Sequence, residues 1–384
     1  MEVFYEIDGN TIFWGVNSLI ALVLCALFAG IVIPQILLIS FRKRLFDEPD
    51  ERKIHQGAVP RLGGIAFKPV VFLVIALVVG VNYTIGNGQM LSCFGAEARP
   101  LAFSFCSIMI LYLVGMADDL IGIRYRAKFV AQLVCGVMLI AGGLWIENLC
   151  GLLGLHHIPE WFGYPLTVVV VVFFINAVNL IDGLDGLASG LTAVAMLFYG
   201  VSFLLLHQWV YALLAFCVLG VLVPFFYYNV FGDPRRQKKI FMGDTGSLTI
   251  GIIAAVLSVK LLQCDTEEYG DLPNFFVLAF APLAIPSFDV LRVYLHRVRH
   301  GNNPFIADKN HIHHKLLALG LPKNHVMPAI VAGSTIVVLC DIALSIWVEV
   351  TLLLFANLIL WTVFNIWLSK KIADVRQKNG GGTQ

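Results

Sequence analysis

Charged residues are scarce in this sequence. Asp, Glu, Lys and Arg together make up 13% of the 384 residues, whereas 59% are hydrophobic. A soluble globular protein is about one quarter charged, so a chain of this size has too few polar side chains to cover itself in water. The composition excludes an ordinary water-soluble enzyme and predicts that lipid surrounds most of the chain.

Two further features are absent. The formal net charge is only +1, so the overall charge does not indicate a nucleic-acid-binding protein. The eight cysteines form no CxxC pair and no Cys/His spacing typical of zinc. Most lie in apolar runs, where Cys behaves as a small hydrophobic residue. Cys93, Cys150 and Cys264 fall near predicted outer loops, and the sequence leaves open whether any two of them pair.

Long apolar runs take the place of charge. Eleven stretches of roughly 20 residues, the length that crosses a bilayer, recur along the chain. The N-terminal segment lacks the basic stretch of a cleavable signal peptide, so the first run is expected to remain as a span. In lipid the backbone must bond internally; we therefore predict an all-α, polytopic membrane helix bundle. It forms one integral-membrane domain over 1–384, with a flexible cytoplasmic tail over 370–384. The spans lie near 12–40, 63–83, 100–117, 127–146, 164–181, 187–206, 209–230, 247–264, 273–295, 325–347 and 351–369.

The few charges are divided unevenly between the two sets of loops. Of the 26 Lys and Arg, all but Arg99 and Lys260 lie on or near one side of the predicted bundle. Basic loops stay in the cytoplasm, which places the N-terminus outside and the C-terminus inside. An odd number of spans agrees with that orientation. The four polar motifs described next all lie on the predicted cytoplasmic side.

Two motifs place carboxylates where helices leave the membrane. Asp118 and Asp119 end the third span, and adjacent carboxylates there are costly unless a cation meets them; the alternative is a solvated helix end. In NAVNLIDGLDGLASG (176–190) two amides and two carboxylates recur every three residues and would share one face of a helix. Apolar segments flank this motif on both sides, which favours a function over an ordinary loop. Its polar members are Asn176, Asn179, Asp182 and Asp185.

The other two motifs follow basic segments. FMGDTGSLTIG (241–251) brackets Asp244 with glycines, which let the backbone approach a ligand closely. Thr245 or Ser247 is expected to cap the next span. HIHHKLLALG (311–320) contributes imidazoles, and zinc binding is a rival interpretation, although no further ligand stands at typical zinc-protease spacing. Its histidines are His311, His313 and His314.

Together these motifs supply oxygen ligands, imidazoles and cations on one face of the membrane. Clustered carboxylates without Cys suit Mg²⁺, with Mn²⁺ as the alternative, and Arg and Lys suit phosphate. Phosphoryl transfer needs this combination, because it depends on positioning and on neutralisation of charge. A site at the membrane surface also predicts one soluble anionic substrate and one lipid-borne substrate. A secondary transporter, the alternative from another class, would place its polar residues in the middle of spans.

The motifs resemble those of the polyprenyl-phosphate N-acetylhexosamine-1-phosphate transferases. The resemblance implies that a UDP-N-acetylhexosamine donates its sugar-1-phosphate to undecaprenyl phosphate, with release of UMP. That reaction is the first membrane step of a cell-surface glycan pathway, and it implies a bacterial cytoplasmic membrane with the active site facing the cytoplasm. A homodimer is compatible with the resemblance. The matching segments span about 52–314 in the family's order: RKIHQGAVPRLGG, MADDLIG, Lys128 with Gln132, NAVNLIDGLDGLASG, FMGDTGSLTIG and PFIADKNHIHH.

The resemblance also implies roles for single residues. Asp244 corresponds to the principal Mg²⁺ ligand, with Asp119 and Asn179 beside it. Asp118 and Asp119 correspond to the acidic pair that positions or deprotonates the lipid phosphate. The other implied assignments are Asn179, Asp182 and Asp185 for the nucleotide and the organisation of the site, Lys128 for phosphate, His311, His313 and His314 for the diphosphate, and His55 and Arg61 as further binding residues.

The segment 55–64 indicates the branch of the family. It differs from the KxGTPTMGG-like segment of enzymes that transfer phospho-MurNAc-pentapeptide. With the HIHH form, it resembles the GlcNAc-1-phosphate branch, so UDP-GlcNAc is the expected donor and the MurNAc-pentapeptide branch is the alternative. A phosphate monoester is mostly dianionic at neutral pH, so a strong general base is not required. The sequence leaves open a one-step route and a two-step route through an aspartyl intermediate.

Overall fold

The fold is known from a computed structural model, which describes residues 8–45, 59–264, 273–301 and 310–380. Within these ranges β-structure is limited to an isolated bridge between Asn148 and His157, so the prediction of an all-α fold is confirmed. The α-helices are α1 (Gly9–Lys43), α2 (Phe67–Thr84), α3 (Gln89–Ala96), α4 (Ala98–Ile121), α5 (Tyr125–Ala141), α6 (Glu160–Ile181), α7 (Leu187–Leu205), α8 (Trp209–Val230), α9 (Gly243–Leu262), α10 (Phe275–Phe280), α11 (Ala284–Arg299), α12 (Ile312–Ala318), α13 (Lys323–Leu344) and α14 (Val350–Gly380).

Ten helical segments of the described chain are long and apolar enough to cross a membrane. They coincide with ten of the eleven predicted spans, and the protein is a multi-pass membrane protein. The remaining predicted span, 127–146, corresponds to α5, whose 17 residues lie at the short end of the spanning range. The last helix continues to Gly380 and so includes much of the predicted tail. The direction in which the bundle crosses the membrane stays a prediction.

Helix α9 forms the centre of the bundle. It packs against α4, α6, α7 and α10, and nearly all of its side chains are buried. Small residues allow this close approach: a Cβ at Gly251 would lie 2.8 Å from the Cα of Ile175 on α6. Helix α9 is therefore packed closely against α6.

The segment before α9 lies alongside the turn that leads into α2. The N–H of Phe241 donates to the carbonyl of Pro60 at 2.9 Å, and the N–H of Gly63 donates to the carbonyl of Phe241 at 3.0 Å. A Cβ at Gly64 would lie 2.0 Å from the backbone nitrogen of Gly246, so only glycine fits there. The RLGG part of the first matching segment thus borders the start of α9.

A partly buried ion pair joins the helices at the opposite end of the bundle. The ammonium of Lys260 on α9 lies 3.0 Å from Glu97, which precedes α4. The hydroxyl of Tyr211 on α8 donates to the same carboxylate at 2.8 Å. Because breaking such a pair leaves an uncompensated charge, it fixes the far end of α9. All eight cysteines, including Cys150 and Cys264, are free thiols.

Candidate active site

Three carboxylates from two helices converge at one end of the bundle. Asp118 and Asp119 lie in the last turn of α4, and Asp244 lies in the first turn of α9. One oxygen of each lies within 4.8 Å of the others. Successive residues of a helix point about 100° apart, so Asp118 and Asp119 meet different partners although they are neighbours in sequence.

Asp119 holds the start of α9. Its Oδ1 accepts the N–H of Asp244 at 2.8 Å, and its Oδ2 accepts the N–H and the hydroxyl of Thr245 at 2.9 and 2.6 Å. A carboxylate is favourable here because the first N–H groups of a helix lack intrahelical partners and carry partial positive charge. The expectation that Thr245 or Ser247 caps α9 is therefore wrong: the cap comes from α4, across the bundle.

Lys128 bridges the other two carboxylates. Its ammonium, on the first turn of α5, lies 2.6 Å from Oδ2 of Asp244 and 3.1 Å from Oδ2 of Asp118. The second oxygen of Asp118 accepts the N–H of Ile123 at 2.7 Å. One cation thus offsets the mutual repulsion of carboxylates from two helices, and the predicted phosphate-binding lysine lies inside the acidic cluster.

Amide side chains on α6 continue this network. Asn179 donates through Nδ2 to Oδ1 of Asp244 at 3.2 Å and to the hydroxyl of Ser247 at 2.8 Å. About one turn earlier on α6, Asn176 donates to Gln132 of α5 at 2.7 Å. These contacts tie α5, α6 and α9 together beneath the carboxylates.

Asp182 and Asp185 occupy the turn between α6 and α7. Burial, followed by the charges of Asp244, Asp185 and Asp119, raises the pKa of Asp182 well above its usual value. Asp185 pairs with the buried Lys239 at 2.6 Å. Asn229 on α8 accepts the N–H of Gly186 at 2.6 Å and donates to the carbonyl of Ile240 at 2.8 Å. The turn is therefore anchored to the segment that leads into Asp244.

The three histidines lie at the start of helix α12, and His313 faces that turn. A Cβ at Gly183 would lie 2.8 Å from Nε2 of His313, so the imidazole reaches the backbone beside Asp182. Burial, followed by His314 and His311, lowers the pKa of His313 to about 3, which keeps the ring neutral. Neither of its ring nitrogens has a hydrogen-bond partner within the described ranges. A buried polar group without a partner costs free energy, which makes His313 a candidate to bind a ligand.

The donor set fits a hard divalent cation. Within the described part of the chain the grouped ligands are carboxylates, which Mg²⁺ prefers together with water and substrate phosphates. Asp244 and Asp119, both predicted as ligands, belong to the group, and Asp118 joins them. Asn179, the third predicted ligand, turns its amide nitrogen rather than its oxygen toward Asp244.

Of the two predicted binding residues in the first matching segment, Arg61 and His55, the structure describes only Arg61. Arg61 lies beside the start of α9: a Cβ at Gly243 would be 2.0 Å from the Arg61 carbonyl oxygen. Its positive charge acts on Asp182. His55 lies outside the described residues.

Three polar residues escaped the sequence analysis: Lys239, Asn229 and Asp289. Lys239 ends the basic run RRQKK (235–239), and Asp289 stands three residues before Arg292, a spacing that by itself indicates only a local ion pair on a helix. Asn229 and Asp289 both interrupt apolar runs, and a polar or ionisable residue inside a membrane span is itself a signal of function. Both are buried.

The chain is similar to proteins described as undecaprenyl-phosphate N-acetylglucosaminyl 1-phosphate transferases. Residues 101–262 match the model of glycosyl transferase family 4. A probable undecaprenyl-phosphate N-acetylglucosaminyl 1-phosphate transferase of Bacillus subtilis is 30% identical over 80% of this chain and 79% of its own length. The undecaprenyl-phosphate alpha-N-acetylglucosaminyl 1-phosphate transferase of Escherichia coli K12 is 31% identical over 72% of this chain and 70% of its own length. The protein of the same description in Yersinia pestis is 28% identical over 84% of each chain.

Proposed function

This chain belongs to glycosyl transferase family 4, and on that premise we propose that it transfers GlcNAc-1-phosphate from UDP-GlcNAc to undecaprenyl phosphate, releasing UMP. The family and the descriptions of the relatives make it an enzyme that transfers a phospho-sugar. We also propose that it acts in the bacterial cytoplasmic membrane, with the carboxylate cluster facing the cytoplasm. The uneven distribution of Lys and Arg supports that orientation.

The observation that carries the proposal is the convergence of Asp118, Asp119 and Asp244, with the ammonium of Lys128 between Asp118 and Asp244. Carboxylates and a cation from three helices meet at one end of the bundle, where a soluble nucleotide and a lipid headgroup could both reach them. A transporter would instead need its polar groups near the middle of spans.

In the proposed reaction an oxygen of the lipid phosphate attacks the β-phosphorus of UDP-GlcNAc. The bond from that phosphorus to the bridging oxygen breaks, and UMP leaves with the bridging oxygen. Lys128 would bind a phosphate group, while Asp118 orients the Lys128 ammonium. The lipid phosphate is already largely dianionic at neutral pH, so Asp118 acts by orientation rather than as a strong base.

Asp244, with Asp118 and Asp119, would hold a divalent cation. When bound, Mg²⁺ would neutralise negative charge on the diphosphate. Asp119 fixes the first turn of α9 and hence the direction of the Asp244 side chain. Asp182, Asp185 and His313 border the same space and would contact the nucleotide and its diphosphate.

Helix α5, which carries Lys128, has an exposed apolar face. Val130, Val134 and Val137 of α5 are 46–59% exposed, and at 100° per residue they lie on the face of the helix opposite Lys128. Apolar side chains on the surface of a membrane bundle face lipid. That face of α5 is therefore suited to lipid, while Lys128 faces the carboxylates.

The test of the proposed function is a donor comparison with purified enzyme in lipid nanodiscs containing undecaprenyl phosphate and Mg²⁺. Labelled UDP-GlcNAc, UDP-GalNAc and UDP-MurNAc-pentapeptide are supplied separately, and organic-extractable label and free UMP are counted. We expect label from UDP-GlcNAc well above the other two. Preferential labelling from UDP-MurNAc-pentapeptide would move the chain to the other branch, and no product from any donor would overturn the proposed function.

Replacement of Lys128 by Gln tests whether the ammonium and a divalent cation compensate the same carboxylates. Without divalent cations we expect a lower Tm than that of the wild type, because the cluster loses its positive charge. Added Mg²⁺ should then raise the Tm more in the variant than in the wild type. Thermal unfolding with and without Mg²⁺ measures both effects.

Lys260→Gln is the matched control, because it removes a lysine paired with Glu97 at the other end of the bundle. The difference in Tm between Lys260→Gln and the wild type should be the same with and without Mg²⁺. An equal response to Mg²⁺ in wild type and Lys128→Gln would contradict a shared site.

A further inference from the structure

Asp289 is a fully buried carboxylate on α11, with none of its side chain exposed. Its Oδ1 accepts the N–H of Ile312 at 3.1 Å and a guanidinium N–H of Arg292 at 2.8 Å. Its Oδ2 lies 2.8 Å from Nδ1 of His311. A buried carboxylate is unfavourable unless it is fully bonded, and the bonds of Asp289 lead to the histidine segment or to Arg292.

Arg292 strengthens the same attachment. Besides pairing with Asp289, its guanidinium donates to the carbonyl of Asn310. The carboxylate and the guanidinium together hold residues 310–312, the point at which helix α12 begins. The contact is thus more than an ion pair within one helix, because it determines where the histidine segment starts.

The bond to Nδ1 also determines the state of the His311 ring. An ionised carboxylate only accepts hydrogen bonds, so Nδ1 of His311 carries a proton and Nε2 is left for another partner. The ring of His313 lies nearly parallel to that of His311, with an angle of 9° between the ring planes and 5.9 Å between the ring centroids. His313 in turn contacts the turn that carries Asp182.

We propose that Asp289 is a positioning residue of the transferase, which fixes His311 as the Nδ1–H form and leaves Nε2 to meet the diphosphate of the nucleotide sugar. This inference rests on the proposed function for the identity of the substrate, but the hydrogen bond itself does not. Asp289 acts only through His311 and does not touch the reacting atoms.

The first experiment is independent of activity. Enzyme carrying ¹⁵N-labelled histidine is placed in nanodiscs, and the ring signals of His311 are assigned by their loss in His311→Gln. We expect a protonated Nδ1 in the wild type and a change of tautomer in Asp289→Asn, whose amide no longer requires a donor at that position. A wild-type His311 protonated only at Nε2 would overturn the proposal, even if Asp289→Asn failed to fold.

The second experiment measures UMP release. In metal sites, loss of the group that orients a histidine ligand costs about 10- to 100-fold in activity. We expect a factor of the same size here, so kcat and kcat/KM of Asp289→Asn should fall together by about 10- to 100-fold. Asp289→Glu, which keeps a carboxylate, should recover part of the loss. The double variant Asp289→Asn/His311→Gln should be no slower than His311→Gln alone, because Asp289 acts through that ring. Additive losses would overturn the positioning role.

Asp341→Asn is the matched control. Asp341 is another buried carboxylate in a span, bonded to the amide of Asn357 on α14 at 2.9 Å. Its replacement should lower Tm while kcat per folded molecule stays at the wild-type value. A comparable loss of kcat in Asp341→Asn would mean that any buried carboxylate has this effect. If the wild type released no UMP, the proposed function would fail, while the NMR result would still decide the role of Asp289.

Discussion

Asp244→Asn enzyme is expected to release UMP about a thousandfold more slowly than the wild type at saturating Mg²⁺, the upper range for loss of one preorganised electrostatic group. The amide keeps the shape of the side chain but removes the charge that lies 2.6 Å from Lys128. Lys128 retains Asp118 at 3.1 Å, so the bundle should still fold. UMP release from purified enzyme in nanodiscs measures the loss.

Thermal unfolding separates a metal ligand from other roles of Asp244. If its carboxylate binds the cation, the rise of Tm with Mg²⁺ should be much smaller in Asp244→Asn than in the wild type. Asp233→Asn is the control: it removes a carboxylate from the loop before α9, where the side chain is 45% exposed and pairs with Arg236. Exposed pairs of this kind contribute little, so activity should be retained. Near-normal turnover in Asp244→Asn would refute its role as the principal ligand.

Gly115→Ala is expected to reduce UMP release by about 100-fold without changing any polar group, because displacements near 1 Å at a reacting centre have effects of that size. Gly115 lies on α4, about one turn before Asp118. An added Cβ would be 2.6 Å from the carbonyl oxygen of Asp244, 2.6 Å from Cα of Thr245 and 2.7 Å from the carbonyl carbon of Asp244. Because these are backbone atoms, α9 must move away from α4, and Asp244 moves with it.

Overpacking should also lower the free energy of unfolding of Gly115→Ala by about 1–3 kcal/mol. Gly333→Ala on α13 is the control, since a Cβ there would meet no atom within 4 Å. That change should leave activity intact and leave Tm unchanged or slightly higher, because Ala favours helix over Gly. Wild-type activity in Gly115→Ala would show that the close contact of α4 and α9 does not position Asp244.

Some differences between expectation and structure follow from the limits of local patterns. The spacing of Asn176, Asn179, Asp182 and Asp185 suggested one helical face, but α6 ends at Ile181. Only the two amides therefore lie on the helix, where they meet Gln132 and Asp244. The two carboxylates lie in a turn, and Asp185 pairs with a lysine more than fifty residues away.

The sequence alone determined that lipid surrounds this protein, that its secondary structure is helical, and which chemical groups its site contains. Apolar runs of spanning length force helices, because backbone groups in lipid can bond only within their own segment. The scarcity of charge made each remaining carboxylate, amide and imidazole conspicuous. Both properties are local, so they can be read without knowledge of how the helices pack.

Tertiary structure alone decided what each polar group does. Asp118 and Asp119 are equivalent in sequence, yet one meets Lys128 and the other caps α9. The spacing of Asp289 and Arg292 indicates their ion pair, but only the packing brings His311 to the same carboxylate. These assignments depend on which helices lie side by side and on how each is rotated. Packing between distant segments determines both, and no local pattern records it.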